Sequence, residues 1–385
     1  MFRCGVPIGA RLAVACSVLS AMVTPACGGK DGPYLDAPGG ALPATLTKLG
    51  LFPELATGDR DTVHPKVLAY RPRHELWSNG SQKERFLYLP AGTRVDTKNR
   101  DDWQFPVGTM FFKTFSYPVG ATSRPVETRV LVKAREADVA MADEGGDEPD
   151  PDEPDEDEPD PDEPDEDDLA EDEFEDTSWD YAVYLWNSQG TDADLWDPRR
   201  SVAVPVEADG QSFDHVVPAK LDCRKCHESQ VNPVIGFDEL RLNAPPLSGG
   251  SGTQLARLGE EGMLTVRPAN PVQISHPDER TTRVLEYLHG NCAHCHNGGD
   301  GPSSSFDMRF PVALQNLIGK PTEGEALAGI RVVPGDPDTS ALYLAMTREE
   351  FEDIQAMPPV GVQRADPQAL ALIRAWIEAL PASNQ

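Results

Sequence analysis

Alternating polar and apolar positions mark the first half of the chain as β-rich. Over Glu127-Thr-Arg-Val-Leu-Val-Lys133, charged or polar residues alternate with apolar ones, the period of a strand with one buried face. The segments Glu84 to Pro90 and Gly108 to Phe115 combine aromatic and β-branched residues between Pro and Gly, and Trp179 to Trp186 resumes the pattern. These runs predict a mainly-β, sandwich-like domain over 45–142 and 177–219, interrupted by 143–176.

From about residue 220 the pattern turns helical. Asp278 to Asn291 reads as a helix running directly into Cys292. Near the end, Asp366 caps a helix with Pro367 at its first position. Leu370, Ile373, Ile377 and Leu380 share one face with Trp376 beside them, and Pro381 stops the run. A mainly-α region is therefore expected over 220–275 and 276–385, which makes the chain multidomain.

Charge changes the picture in one place. The chain has 385 residues and a formal charge of -30, but 23 of its 64 acidic residues fall between Asp143 and Asp176, where no Lys or Arg occurs. The decapeptide DEPDPDEPDE at Asp147 recurs unchanged at Asp157. Dense like charge and recurring Pro oppose collapse, so 143–176 is read as a disordered, solvated insertion. The rest carries an ordinary balance, with none of the basic surface that nucleic acid requires.

The N-terminus reads as a leader. Arg3 and Arg11 supply positive charge, Leu12 to Val23 an apolar core, and Thr24-Pro-Ala-Cys27 a processing site, giving a signal peptide over 1–26 and a low-complexity linker over 27–44. Cys27 before Gly28-Gly29 resembles a bacterial lipoprotein box, departing from it at Thr24, where Leu is commonest. An ordinary soluble secretory signal is the alternative. The expected location is the periplasm, outer membrane or cell surface, with a lipid on Cys27 as the membrane anchor.

Cys4, Cys16 and Cys27 belong to the leader or its edge; Cys223, Cys226, Cys292 and Cys295 remain. They form Cys223-Arg-Lys-Cys226-His227 and Cys292-Ala-His-Cys295-His296. Two thiols at this spacing add to the vinyl groups of one haem, and the adjacent His meets its iron. A Cys₄ zinc ribbon gives no reason for either His, and the 65 residues between Cys226 and Cys292 exceed ribbon spacing. Disulfides are the remaining alternative. The reading is two haem c groups, with His227 and His296 as iron ligands. Met357-Pro-Pro359 offers a soft sulfur opposite His296 on a loop stiffened by proline, with Met308 and Met346 as competitors. For the first iron the candidate is Met263, with His276 and His289 as other donors. His64, His74 and His215 read as surface residues, the alternative being that one of them reaches haem across a domain interface.

Taken together, Leu76-Trp-Ser-Asn-Gly-Ser-Gln-Lys83, Trp103-Gln-Phe-Pro-Val-Gly-Thr109, Lys113-Thr-Phe115, Glu127-Thr-Arg129, Tyr184-Leu-Trp-Asn187, the two CxxCH motifs and Met357-Pro-Pro359 carry a resemblance. The chain resembles a bacterial family of di-haem c-type cytochromes with an N-terminal β-rich region, and 276–385 is similar to a cytochrome c domain. The acidic repeat and the lack of a visible helix before Cys223 depart from the pattern. The resemblance implies electron transfer with redox protein partners outside the cytoplasm, rather than an enzyme. The alternative is a haem enzyme, peroxidase-like or a dehydrogenase subunit, whose β domain binds substrate or partner.

Overall fold

A computed structural model describes residues 33–135 and 178–381, apart from 121, 198, 209, 300–305, 311, 323–328 and 352. The leader, Cys27 and the acidic insertion lie outside the described residues.

The described residues hold eight strands: β1 (Val67–Tyr70), β2 (Gln82–Tyr88), β3 (Met110–Val119), β4 (Thr122–Lys133), β5 (Trp179–Trp186), β6 (Ala193–Leu195), β7 (Val202–Ala208) and β8 (Gln211–Val217). The first six form one antiparallel sheet in chain order, and β7–β8 is a separate hairpin packed on β3 through Phe115, Tyr117, Val206 and Ala208. Lys133 pairs with Trp179, so the acidic insertion joins two neighbouring strands.

Eight α-helices accompany them: α1 (Leu46–Leu49), α2 (Lys220–His227), α3 (Glu239–Leu242), α4 (Gln254–Glu260), α5 (Glu279–Asn291), α6 (Ala313–Leu317), α7 (Ala341–Thr347) and α8 (Pro367–Ala379). Asp278 caps α5 by accepting the Thr281 amide at 2.8 Å, and Asp366 caps α8 by accepting from Gln368 and Ala369. The two helices share a core of Val284, Leu285, Leu288, Ile373 and Ile377, with the Trp376 indole donating to Thr281 Oγ1 at 3.2 Å.

Two expectations need correction. The β elements are one six-stranded sheet and a hairpin rather than a sandwich, and the later part is not a mainly-α cytochrome c-like region. Helix makes up 24% and strand 26% of the described residues, and among them only α5 and α8 reach 13 residues after residue 220. Pro33–Gln385 forms one compact unit. The reason lies in where apolar residues go. Phe237, Leu242, Leu255, Leu258 and Leu264, all later than the strands, pack on Leu87, Phe111, Leu131 and Tyr181 of the sheet. Val95 bridges Leu264 in parallel, and the Arg73 amide donates to Arg241 at 2.8 Å. The opposite face is covered by Leu35, Leu46, Leu49, Phe52 and Leu55.

Burying both faces also overturns the half-exposed reading of β4. Glu127 and Thr128 are fully buried and Lys133 is nearly so. The charged positions of this strand face protein.

Candidate functional site

The first CxxCH motif occupies α2. The preceding sequence reads as extended, and β8 does run to Val217, yet a helix starts at Lys220 and carries the whole motif. The Asp222 carboxylate starts it by accepting the Ala219 amide at 3.3 Å. His227 Nδ1 lies 2.6 Å from the Pro233 carbonyl. A carbonyl only accepts, so Nδ1 carries the proton and Nε2 keeps its lone pair for a ligand. Burial, with Lys113 and Arg129 nearby, lowers the His227 pKa to about 3, so the ring is neutral, the form that ligates a metal.

The second motif hangs from the end of α5. The Cys292 amide still donates to Leu288 at 2.8 Å, and the His296 amide donates to Cys292 at 2.9 Å. The His296 ring lies against Phe306, centroids 4.6 Å apart, and the Arg331 guanidinium covers the other ring at 3.8 Å. Gly290 is required here, because a Cβ would come within 2.9 Å of the His74 carbonyl oxygen.

A cavity of about 520 Å³ is lined by Cys226, Cys292, Cys295, His296 and Met357. That volume is typical of sites that enclose a small organic group. Met357 is held by its amide, which donates to Ala345 at 2.9 Å. Met308 and Met346 reach the same cavity but are buried members of the α5–α8 core; Met357 is outside that core and half-buried.

The two motifs meet. The ligating atoms of Cys226, His294 and Cys295 all lie within 4.8 Å of one another. The contact with Cys295, then burial, pushes the Cys226 thiol up, and burial raises Cys223 to about 11 and Cys292 to about 12. None of the four cysteines of the described residues is in a disulfide.

Met263 packs at the edge of the core that contains Cys223 and lines neither this cavity nor the neighbouring one. His276 is an exposed turn residue whose Nδ1 accepts the Asp278 amide. His289 is enclosed beside His74, ring centroids 6.3 Å apart. Neither nitrogen of His289 nor Nε2 of His74 has a hydrogen-bond partner among the described residues. Burial pushes both rings down, His74 to about 4. His289 and His294 also line a second cavity of about 900 Å³ with Asp238 and Arg241.

The expected surface histidines are instead buried: His64 is 4%, His74 8% and His215 1% exposed. His64 meets Asp36 at 3.2 Å, and His215 bridges Tyr117 and Glu127 at 2.9 and 2.8 Å.

Sequence reasoning missed the clamp between β1 and β2. Asn79 Oδ1 accepts the amides of Gln363 and Arg364 at 2.7 and 3.0 Å, and its Nδ2 donates to Gln363 Oε1 at 2.7 Å. The Trp77 amide donates to Asn291 at 2.6 Å and its indole to the Arg364 carbonyl at 2.8 Å. One loop thus holds the end of α5 and the chain just after Met357. The available signal was Asn79-Gly80, since asparagine tolerates the positive φ of 56° found there.

No family model matches this chain, and no curated protein or solved structure matches it either.

Proposed function

We propose that the chain is an exported electron-transfer protein with two covalently attached haems, one at Cys223–Cys226–His227 and one at Cys292–Cys295–His296. The observation that carries this reading is the meeting of the motifs: Cys226 and Cys295 share one cavity wall, with His296 and Met357 on the same cavity.

The residues suit the group. Thiols held protonated by burial are in the form that adds across a vinyl double bond. His227 offers Nε2 because Pro233 holds Nδ1–H, and Met357 offers a neutral sulfur, which favours ferrous over ferric iron. Bound haem would supply one-electron exchange at its iron. The protein excludes water with Phe306, Met308, Leu342 and Met346, holds the Met357 loop through Asn79 and Trp77, and brings the two attachment sites side by side. Redox protein partners would meet the exposed rim. Export and lipidation at Cys27 belong to the same proposal.

The test is expression with a haem-attachment system, followed by intact mass and a pyridine haemochrome spectrum. Two added haem masses and a thioether-type spectrum are expected. A colourless protein with the mass of bare polypeptide would overturn the reading.

A second reading rests on the Cys226–His294–Cys295 group, whose donor set suits a soft ion such as zinc. Native mass spectrometry decides between them: one zinc with unmodified cysteines supports the ion, and thioether-linked haem removes it.

A further inference from the structure

Three segments behind the family resemblance have found no role in the site so far: Gln82-Lys83 with Arg85, Lys113-Thr-Phe115, and Glu127-Thr-Arg129. Strand register brings them together. Arg85 pairs with Lys113 and Lys113 with Arg129 across β2, β3 and β4, and Lys83 lies two residues along β2 on the same face. Four cations therefore line one patch of the sheet.

Two of them are neutralised. Arg85 meets Glu75 at 2.9 Å, and Arg129 meets Glu127 at 2.6 Å. Among the described residues, no carboxylate lies within ion-pair distance of Lys83 or Lys113. Lys83 Nζ has only the Ser81 carbonyl at 3.3 Å, and Lys113 Nζ lies 4.8 Å from the Phe115 ring centre. Glu75 and Asp366 act on Lys83 and Glu127 acts on Lys113 from beyond ion-pair distance, but Glu75 is engaged by Arg85 and Glu127 by Arg129 and His215.

The patch is partly covered. Arg129 keeps 28% of its side-chain surface accessible, and Lys113 is half-exposed, yet desolvation is the leading influence opposing the charge of each. The first motif is adjacent. Arg129 acts electrostatically on Cys223 and Cys226, and Tyr181 on neighbouring β5 sets its ring 5.5 Å from that of His227. A desolvated cation without a counter-charge is costly, and an anion bound beside it offsets that cost.

We propose that Lys113 and Arg129, with Lys83 beside them, form a carboxylate-binding wall for the haem of the first motif and hold its propionates. This rests on the haem reading above. Lys113 is then a positioning and charge-setting residue that fixes the haem's acidic edge against the sheet and offsets its negative charge. Removing that cation leaves the propionate charge acting on the iron, which favours the ferric state.

The experiment is spectroelectrochemical titration of the matured full-length protein and of Lys113→Met, Lys113→Arg and Lys83→Met, each with its intact mass and melting temperature. Lys113→Met should lower one of the two midpoint potentials by about 59 mV, a tenfold change in a one-electron equilibrium. The other potential should stay, and Lys113→Arg should restore the first. Lys83→Met should move the same haem by less. The intact mass should still show two haems, because thioether bonds hold each porphyrin without Lys113.

Two attached haems with both potentials unmoved in Lys113→Met would overturn this assignment and leave the carrier reading intact. A citrate-dependent shift in wild type that Lys113→Met abolishes would also overturn it, by showing that the wall takes a free carboxylate. Absence of haem at Cys223 and Cys226 would overturn both readings, and the mass alone reports that.

Discussion

Cys226, the second cysteine of the first motif, faces Cys295, the second cysteine of the other, with His294 between them and all three ligating atoms within 4.8 Å. The motifs are 65 residues apart in sequence, counted between Cys226 and Cys292, yet the fold places them on one cavity wall.

Without haem, Cys226 and Cys295 are the pair best placed to oxidise together. A leaderless chain made in a reducing cytoplasm and then oxidised should yield a Cys226–Cys295 cross-linked peptide as its main disulfide. Non-reducing peptide mapping checks this; a dominant Cys292–Cys295 link would contradict the contact.

Met357 and Met308 should respond differently to truncation. Met357→Ala removes the proposed sulfur ligand, so the sulfur–iron charge-transfer band should vanish with little loss of stability. Met308 is 2% exposed in the α5–α8 core, so Met308→Ala should cost about 2–5 kcal/mol in denaturant unfolding and keep the band. Retention of the band in Met357→Ala would remove that residue from the iron.

Glu127 should be a main source of acid sensitivity. Burial opposes its ionisation, but Arg129 and His215 outweigh burial and hold its carboxyl at about 2, below the ordinary 4.5. A depressed folded-state value means the stabilisation is complete above pH 4.5 and drains away as pH falls toward 2. Glu127→Ala should cost about 3–5 kcal/mol at neutral pH by leaving Arg129 without its partner. It should also flatten the stability profile over that acid window, which urea unfolding at several pH values reads directly.

The Asn79 clamp should govern the Met357 loop. Asn79→Gly keeps the positive φ but loses the side-chain bonds to Gln363 and Arg364, each broken buried bond costing about 1–3 kcal/mol. Hydrogen exchange should accelerate around 361–366 and stay unchanged in β3 and β4. Equal acceleration throughout would mean that the clamp is global.

Local chemistry was well written in the sequence. The strand segments around residues 84–90, 108–115, 127–133 and 179–186 each fall on a strand, the helices before Cys292 and near the C-terminus both form, and the second has its expected Asp366 cap. Burial of the charged face was not legible, because alternation in Glu127 to Lys133 is identical whether its polar side meets water or a cleft. The cover comes from Phe237 to Leu264, more than 100 residues later. Nor does any local pattern reveal that Cys226 meets Cys295 or that Asn79 grips Gln363, since both contacts depend on how the C-terminal segments settle on the sheet.

The packing of Phe237, Leu242, Leu255 and Leu258 onto Leu87, Phe111, Leu131 and Tyr181 sets a limit on dissection. A gene cut after residue 219 would encode a strand slab with one greasy side bare, and such surfaces seek any available neighbour. The fragment should clump instead of staying in solution, so studies of either proposed haem site must keep the polypeptide whole.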